Sequence, residues 1–322
     1  MTRRRFLGSA TALAAASTVG IMDAAAAPAT HSTAPSRPKG PKRGVSFYSY
    51  SAEWGFEKNL EDCFEDVQDM GAHGIEILCN AHVENYPYPT QDWIRHFADL
   101  CLKHDIEPVE YGHWVDARVL QDRMLSVDEC LEYLERDMRL ARTLGFGILR
   151  TKMTVKDGEL APVDNWEELI EKALPLAERL NVVMCPEIHT PSKLSSAFVT
   201  KYVDFIKRTQ TRHFALNLDF SLFRSSPQRQ GRGDQASAPT QPEDIIPLLP
   251  YVACCHAKLF NMSEDFHETE IPYERLLGIL KDKQWDGWLL SEYEGSDKYD
   301  QGYEVGQTLR RQHIMMKRIL GA

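Results

Sequence analysis

The chain is 322 residues long, with 47 acidic against 37 basic side chains, a formal net charge of −10 and a hydrophobic content of 43%. This balance excludes a polyanionic partner such as nucleic acid, because phosphate backbones are gripped by clustered Lys and Arg. The seven cysteines are odd in number and form no C-x-x-C pair, and Cys185, Cys254 and Cys255 lie inside apolar runs, so reduced, structural thiols are expected.

In chain order, the paired arginines of Arg3-Arg4-Arg5, an apolar stretch of small residues from Gly8 to Ala16, and Ala24-Ala25-Ala26 read as a twin-arginine export signal over 1–26, cleaved after Ala26. A membrane anchor is disfavoured by Ser9, Thr11, Ser17, Thr18, Gly20 and Asp23. Residues 27–43 are rich in Pro, Ser, Thr and Lys and read as a disordered linker. The mature protein is therefore expected in the periplasm or outside the cell, without a membrane span.

The remaining residues, 44–322, approach the roughly 250 of a single (β/α)8 barrel. Strand-like and helix-like patterns alternate along them, the signature of a parallel α/β fold. Strands are expected at 44–50, 74–79, 106–111, 147–151, 181–187, 213–219, 252–258 and 287–293. Amphipathic helices are expected at 60–70, 93–104, 127–144, 166–180, 197–208, 273–283 and 303–320. The charged run Glu129–Arg142 reads as a solvated helix face. The longest connections, 112–125, 220–243 and 259–271, follow the third, sixth and seventh strands, where a barrel builds its active site; 225–233 reads as a mobile lid.

Four apolar runs each end on a residue able to bind a metal. These are Glu187, Asp219, His256 and Glu292, which follow one another at intervals of 32, 37 and 36 residues, about one βα repeat each. Parallel strands would bring all four to one end of the barrel. Two Glu, one Asp and one His form a hard, mostly oxygen donor set that suits Mn2+ first, with Mg2+ or Co2+ as alternatives. Sugar oxygens in the two open positions would let the metal polarise a carbonyl while a proton leaves the adjacent carbon.

The segments Cys185-Pro186-Glu187-Ile188-His189, Leu218-Asp219, Cys255-His256-Ala257-Lys258 and Ser291-Glu292-Tyr293-Glu294-Gly295 resemble the xylose isomerase-like TIM-barrel superfamily, over essentially the whole chain after Arg43. Within it, His256-Ala257-Lys258-Leu259-Phe260, Trp285-Asp286-Gly287-Trp288, Glu292-Tyr293-Glu294-Gly295 and Asp219-Phe220-Ser221-Leu222-Phe223 are most similar to catalytic subunits of C-glycoside deglycosidases and 3-keto-glycoside lyases. The resemblance implies metal binding by Glu187, Asp219, His256 and Glu292, with Glu187 and Glu292 also handling protons. It implies a sugar already oxidised at C3, proton removal at C2 and β-elimination of the group on C1. Ketose epimerases carry a second His where this chain has Leu222, which favours the lyase over an isomerase or epimerase. A non-catalytic sugar-binding barrel and a phosphodiesterase like endonuclease IV are the readings from other classes. The intact ligand quartet opposes the first; the His pattern and acidic balance oppose the second. The resemblance also implies a small partner subunit or a homo-oligomer.

Further pocket candidates follow from position. Lys258 shares a strand face with His256 and is expected to bind an anionic oxygen. His113 and Trp114 open the third loop, as an acid or base and as a sugar-stacking face. His189, just past Glu187, is expected to bind a substrate hydroxyl. Arg150 and Lys152, at the fourth strand end, offer a cation to substrate or to the acidic ligands. Glu76 lies in a segment near substrate in the family, and Glu294 is placed to orient a ligand.

Overall fold

The computed structural model describes residues 40–114, 125–153, 160–225 and 240–321. Its strands are β1 (Lys42–Ser46), β2 (Gly74–Leu78), β3 (Glu107–Trp114), β4 (Ile148–Lys152), β5 (Val183–Cys185), β6 (Glu187–Ile188), β7 (Leu216–Asp219), β8 (Val252–Leu259) and β9 (Trp288–Tyr293). All pairings between them are parallel, in the order β5-β4-β3-β2-β1-β9-β8-β7-β6. The expected eight strands become nine because Pro186, which has no N–H to give a ladder, divides the fifth into β5 against β4 and β6 against β7. The Pro186 carbonyl still accepts from Asn217 N at 3.1 Å, and Met184 bridges to Phe214, so the barrel closes through the break.

Among the described residues, eight helices accompany the strands: α1 (Leu60–Asp69), α2 (Cys79–His82), α3 (Gln91–His104), α4 (Val127–Thr143), α5 (Trp166–Leu180), α6 (Ala197–Thr209), α7 (Tyr273–Asp282) and α8 (Val305–Leu320). Capping boxes start two of them: Asn59 with Asp62 opens α1, and Ser126 with Glu129 opens α4. Left-handed residues Asp105 and Asn181 end α3 and α5 and turn the chain into the following strand. The α2 turn and the 3-10 segments Phe47–Tyr50, Phe220–Phe223 and Pro242–Tyr251 were not expected. The first of these replaces the end of the anticipated first strand.

Side chains alternate across each strand, so one set fills the barrel and the other packs under the helices. Val109, Cys254, Trp288 and Leu290 form a small apolar plug inside. Gly74 is needed beside it: a Cβ there would stand 2.4 Å from the Trp288 ring. The outward residues join one large core; Phe214, for example, packs against Phe205, Tyr202 and Trp166 with ring centroids 5.3 to 6.0 Å apart. All seven cysteines are free thiols, and no helix among the described residues is long and apolar enough to cross a membrane.

The export signal at 1–26 lies outside the described residues, as does the lid at 225–233 apart from Ser225. The linker read to 43 ends earlier, since Lys42 and Arg43 already pair with Trp288 and Leu289. The loop 259–271 is organised around the buried Glu268, whose carboxylate accepts from the backbone N–H groups of Phe260, Asn261 and Glu270. Replacing Phe214 by Ala should lower unfolding free energy by about 3–5 kcal/mol in urea titrations, the usual cost of emptying a buried aromatic site; a loss under about 1 kcal/mol would contradict this packing.

Candidate functional site

Above the apolar plug the barrel interior becomes polar. Asn217 and Asp219 of β7, His256 and Lys258 of β8, and Glu292 of β9 share the inward face, joined by Glu187 from β6, Arg150 from β4, Glu110 from β3 and Glu76 from β2. The register sets neighbours side by side, with Asp219 against His256 and Lys258 against Glu292.

His256 is fully buried at the centre. Its Nδ1 lies 2.7 Å from Glu292 Oε2, 3.0 Å from Glu187 Oε1 and 3.9 Å from Asp219 Oδ2. On the other edge of the ring, Nε2 is 2.9 Å from Glu110 Oε2 and 3.0 Å from Asn217 Nδ2. Asn217 Nδ2 donates to both oxygens of Glu110 at 3.1 and 3.3 Å and holds that carboxylate in place. Surrounding carboxylates hold the imidazole above its ordinary pKa against burial; a cation at the cluster would take the Nδ1 lone pair in place of a proton and leave Nε2–H to donate to Glu110, the carboxylate–histidine arrangement common around metals.

Ligating atoms of Glu187, Asp219, His256 and Glu292 all lie within 4.8 Å of one another. Asp219 Oδ2 and Glu292 Oε2 are buried and make no well-directed hydrogen bond, although cationic side chains stand near both. Leaving such acceptors unsatisfied is costly. Among the described residues, Glu76, Glu110, Glu187, Asp219 and Glu292 meet only Arg150 and Lys258 as permanent counter-charges. The donor set, its orphaned oxygens and its surplus negative charge fit a divalent cation.

Electrostatics follow from this crowding. Burial opposes ionisation of Glu292, but Lys258 and His256 outweigh it and hold the carboxyl below its ordinary range. Burial likewise opposes Glu187, and Arg150 and His256 overcome it. Asp219 goes the other way, raised by burial despite the attraction of Lys258. Burial lifts the Glu76 carboxyl to about 7, even with Arg150 beside it.

The remaining expected residues divide. Lys258 is in the site, and its Nζ lies 2.7 Å from Glu292 Oε1, 2.9 Å from Glu294 Oε2 and 3.2 Å from Asp219 Oδ2. Its three N–H groups thus face three carboxylates, and in this arrangement it is a counter-charge. Of the two roles expected for Arg150, the structure has it with the acids, as a buried ion pair 3.1 Å from Glu187 and 3.2 Å from Glu76. Glu294 engages Lys258 instead of a ligand residue. His189 is half-buried beyond Glu187, and its Nδ1–H donates to the Thr190 carbonyl at 2.8 Å. Trp114 and Lys152 pair in the sheet, and their side chains lie outside what is described.

His113 differs from its expected place. β3 runs on to Trp114, so His113 does not open a loop. Glu110 and the Cα–Cβ direction of Gly112 face Glu76, His256 and Arg150 inside the barrel, which turns His113 outward. There its Nδ1 is 2.7 Å from the buried Asp137 Oδ2 of α4, which is also met by the half-buried Tyr86 and Arg136. Asp137 also corrects the solvated-face reading of α4, because it is fully buried. Glu110, Asn217 and Asp137 were missed. An acid between the apolar Val109 and Tyr111 of β3, and an acid on the Leu134, Met138 and Ala141 stripe of α4, are the signals that could have found two of them.

Comparison with known proteins agrees with the architecture. A family model described as xylose isomerase-like TIM barrel matches residues 64–313. The chain is similar to the 3'-dehydrocarminate deglycosidase alpha subunit of a Microbacterium species, 25% identical over 349 aligned positions that cover 87% of this chain and 96% of that protein. It is also similar to a C-glycoside deglycosidase alpha subunit of Arthrobacter globiformis, 23% identical with 79% of this chain and 84% of that protein covered. Among solved structures, D-psicose 3-epimerase in the presence of D-fructose superposes with a TM-score of 0.61 at 15% identity, covering 87% of this chain and all of that one, a likeness of fold.

The geometry predicts that His113→Ala lowers thermal stability through the orphaned Asp137 by about 1–3 kcal/mol while kcat stays within a few-fold. A fall of about 10²-fold in kcat at unchanged stability would return His113 to acid–base duty.

Proposed function

The chain belongs to the xylose isomerase-like TIM-barrel family, and on that premise we propose that it is a divalent-metal-dependent lyase that removes the C1 substituent of 3-keto-glycosides by β-elimination. It is a carbohydrate-acting enzyme, and the finer reading is carried by one observation: three carboxylates and one imidazole nitrogen converging at the barrel mouth with two of their oxygens unsatisfied. The likeness to proteins named deglycosidase alpha subunits favours elimination over epimerisation. So does Leu222, a buried apolar side chain where ketose epimerases carry a further His.

Glu187, Asp219, His256 and Glu292 would hold the cation, with Mn2+ the best match to mixed carboxylate and imidazole donors. When bound, it supplies Lewis-acid stabilisation of the negative charge that develops on the substrate ketone oxygen. Glu187 is the more accessible of the two catalytic carboxylates, 18% exposed at the side chain against 4% for Glu292, and is assigned to take the C2 proton. Arg150 fixes the Glu187 carboxylate from behind, and Lys258 fixes Glu292. His189 stands at the rim, where its Nε2 can accept from a sugar hydroxyl. Glu110 and Asn217 keep the His256 ring in the tautomer the site needs.

By the same reading, the name alpha subunit carried by the relatives points to a small partner subunit. Residues 1–26 would direct export through the twin-arginine route, with a linker before the barrel.

Incubating Mn-loaded protein with 3-keto-glucosides in D2O should release free aglycone and place deuterium at C2 of the recovered substrate, because the eliminated product keeps no hydrogen on C2. Deuterium uptake without release would replace the lyase by an isomerase or epimerase. Glu187→Gln and Glu292→Gln should each lower turnover by at least about 10²-fold, the scale of lost acid–base help; near wild-type rates at saturating Mn2+ in either variant would refute its role.

A further inference from the structure

The elimination needs an acid as well as a base, since a departing oxygen or carbon must collect a proton. His113 faces α4. Lys258 is surrounded by carboxylates. Among the described residues, a phenol is a further donor at the mouth. Tyr48 lies on the 3-10 turn that follows β1, is half-buried, and directs its hydroxyl at Glu294 Oε1 over a long 3.4 Å. Glu294 is in turn bonded to Lys258, which touches Glu292, so the phenol belongs to the rim of the same site.

Beside it is an amine without an evident structural purpose. Lys298 is 3% exposed, and its Nζ has no hydrogen-bond acceptor among the described residues. It lies 4.6 Å from the centre of the Tyr48 ring, while Lys258 Nζ stands 5.8 Å from the same ring. Ring faces attract cations, but a quadrupole does not replace the hydrogen bonds that a buried ammonium loses with water. A negative charge appearing on the phenol would supply the missing partner.

We propose that Tyr48 is the acid that protonates the departing group, and that Lys298 is placed to stabilise the phenolate this leaves. The inference rests on the elimination reading. The base takes the C2 proton, the C2–H electron pair becomes the second bond of C1=C2, and the C1 bond breaks with its pair going to the departing group. That group takes the phenolic proton of Tyr48. The phenolate regains a proton from water, which its half-exposed position admits, and the base returns its own to solvent. Nothing is oxidised or reduced. Lys298 contributes more once the charge has moved than before, which is how a binding interaction becomes a rate effect. The ground state agrees: burial, with Glu294 and Glu292 adding to it, pushes the Tyr48 phenol up to about 12, so it holds its proton at neutral pH.

The test uses Mn-loaded full chain and 3-keto-glucosides of nitrophenol, phenol and methanol. Tyr48→Phe should cut kcat for the methyl glycoside by about 10²–10⁴-fold, the range of general acid catalysis, with progressively smaller loss for phenol and little for nitrophenol, which leaves unaided. Its deuterium uptake at C2 should persist. Lys298→Met, which keeps the phenol in place, should repeat the pattern on a smaller scale, with recovery in Lys298→Arg. A loss equal for all three substrates, or no loss, overturns the acid role even while wild-type protein eliminates normally. Absence of aglycone release from wild-type protein with every substrate would instead overturn the elimination reading and this inference with it.

Discussion

Everything in this barrel turns on how five carboxylates are kept together out of water. Glu76, Glu110, Glu187, Asp219 and Glu292 project into one interior beside a single imidazole. Mutual repulsion and lost hydration would each drive them apart or protonate them. Arg150 and Lys258 offset part of this, each spanning at least two acids. A divalent cation at the upper cluster would offset most of the remainder, and the Glu76 carboxyl, already lifted towards neutrality by burial, accounts for the last charge when protonated. The same arrangement that fits a cation would place it where strand ends open towards a substrate.

The lower half of the barrel exists to hold that cluster at a fixed depth. Trp288, Leu290, Val109 and Cys254 fill the floor, with Gly44 and Gly74 leaving room for Leu290 and Trp288. Above them, Glu110 and Asn217 lock His256 from beneath, so the imidazole presents one nitrogen upward. Orientation of this kind is set in the folded chain before any ligand arrives, which is the condition for electrostatic stabilisation to lower a barrier.

Much of this was legible in the chain itself. The four residues that converge at the barrel mouth stood out because each ends an apolar run and their spacing matches one βα repeat, two signals that depend only on local pattern. What escaped depended on long-range geometry. Glu110 was passed over because the register of β2 against β3 slips between Ile75 and Glu76, so Val109 and Glu110 both reach the interior, contrary to simple alternation. His113 was misplaced because β3 runs three residues further than its apolar pattern suggests. Asp137 looked like one more surface acid on a charged helix, yet it lies on the buried stripe to satisfy His113. Arg150 and Lys258 were rightly placed near the acids, but only coordinates reveal that carboxylates already claim them.

The account stands on the cation. Calorimetric titration of Mn2+ into chelator-treated protein, alongside the Asp219→Asn variant, measures it directly. One ion per chain for the wild type, with affinity reduced at least about tenfold in the variant, is the expected result, since ligand and near-ligand changes ordinarily cost 10- to 100-fold. No heat of binding in the wild type, or equal binding in both proteins, would contradict it.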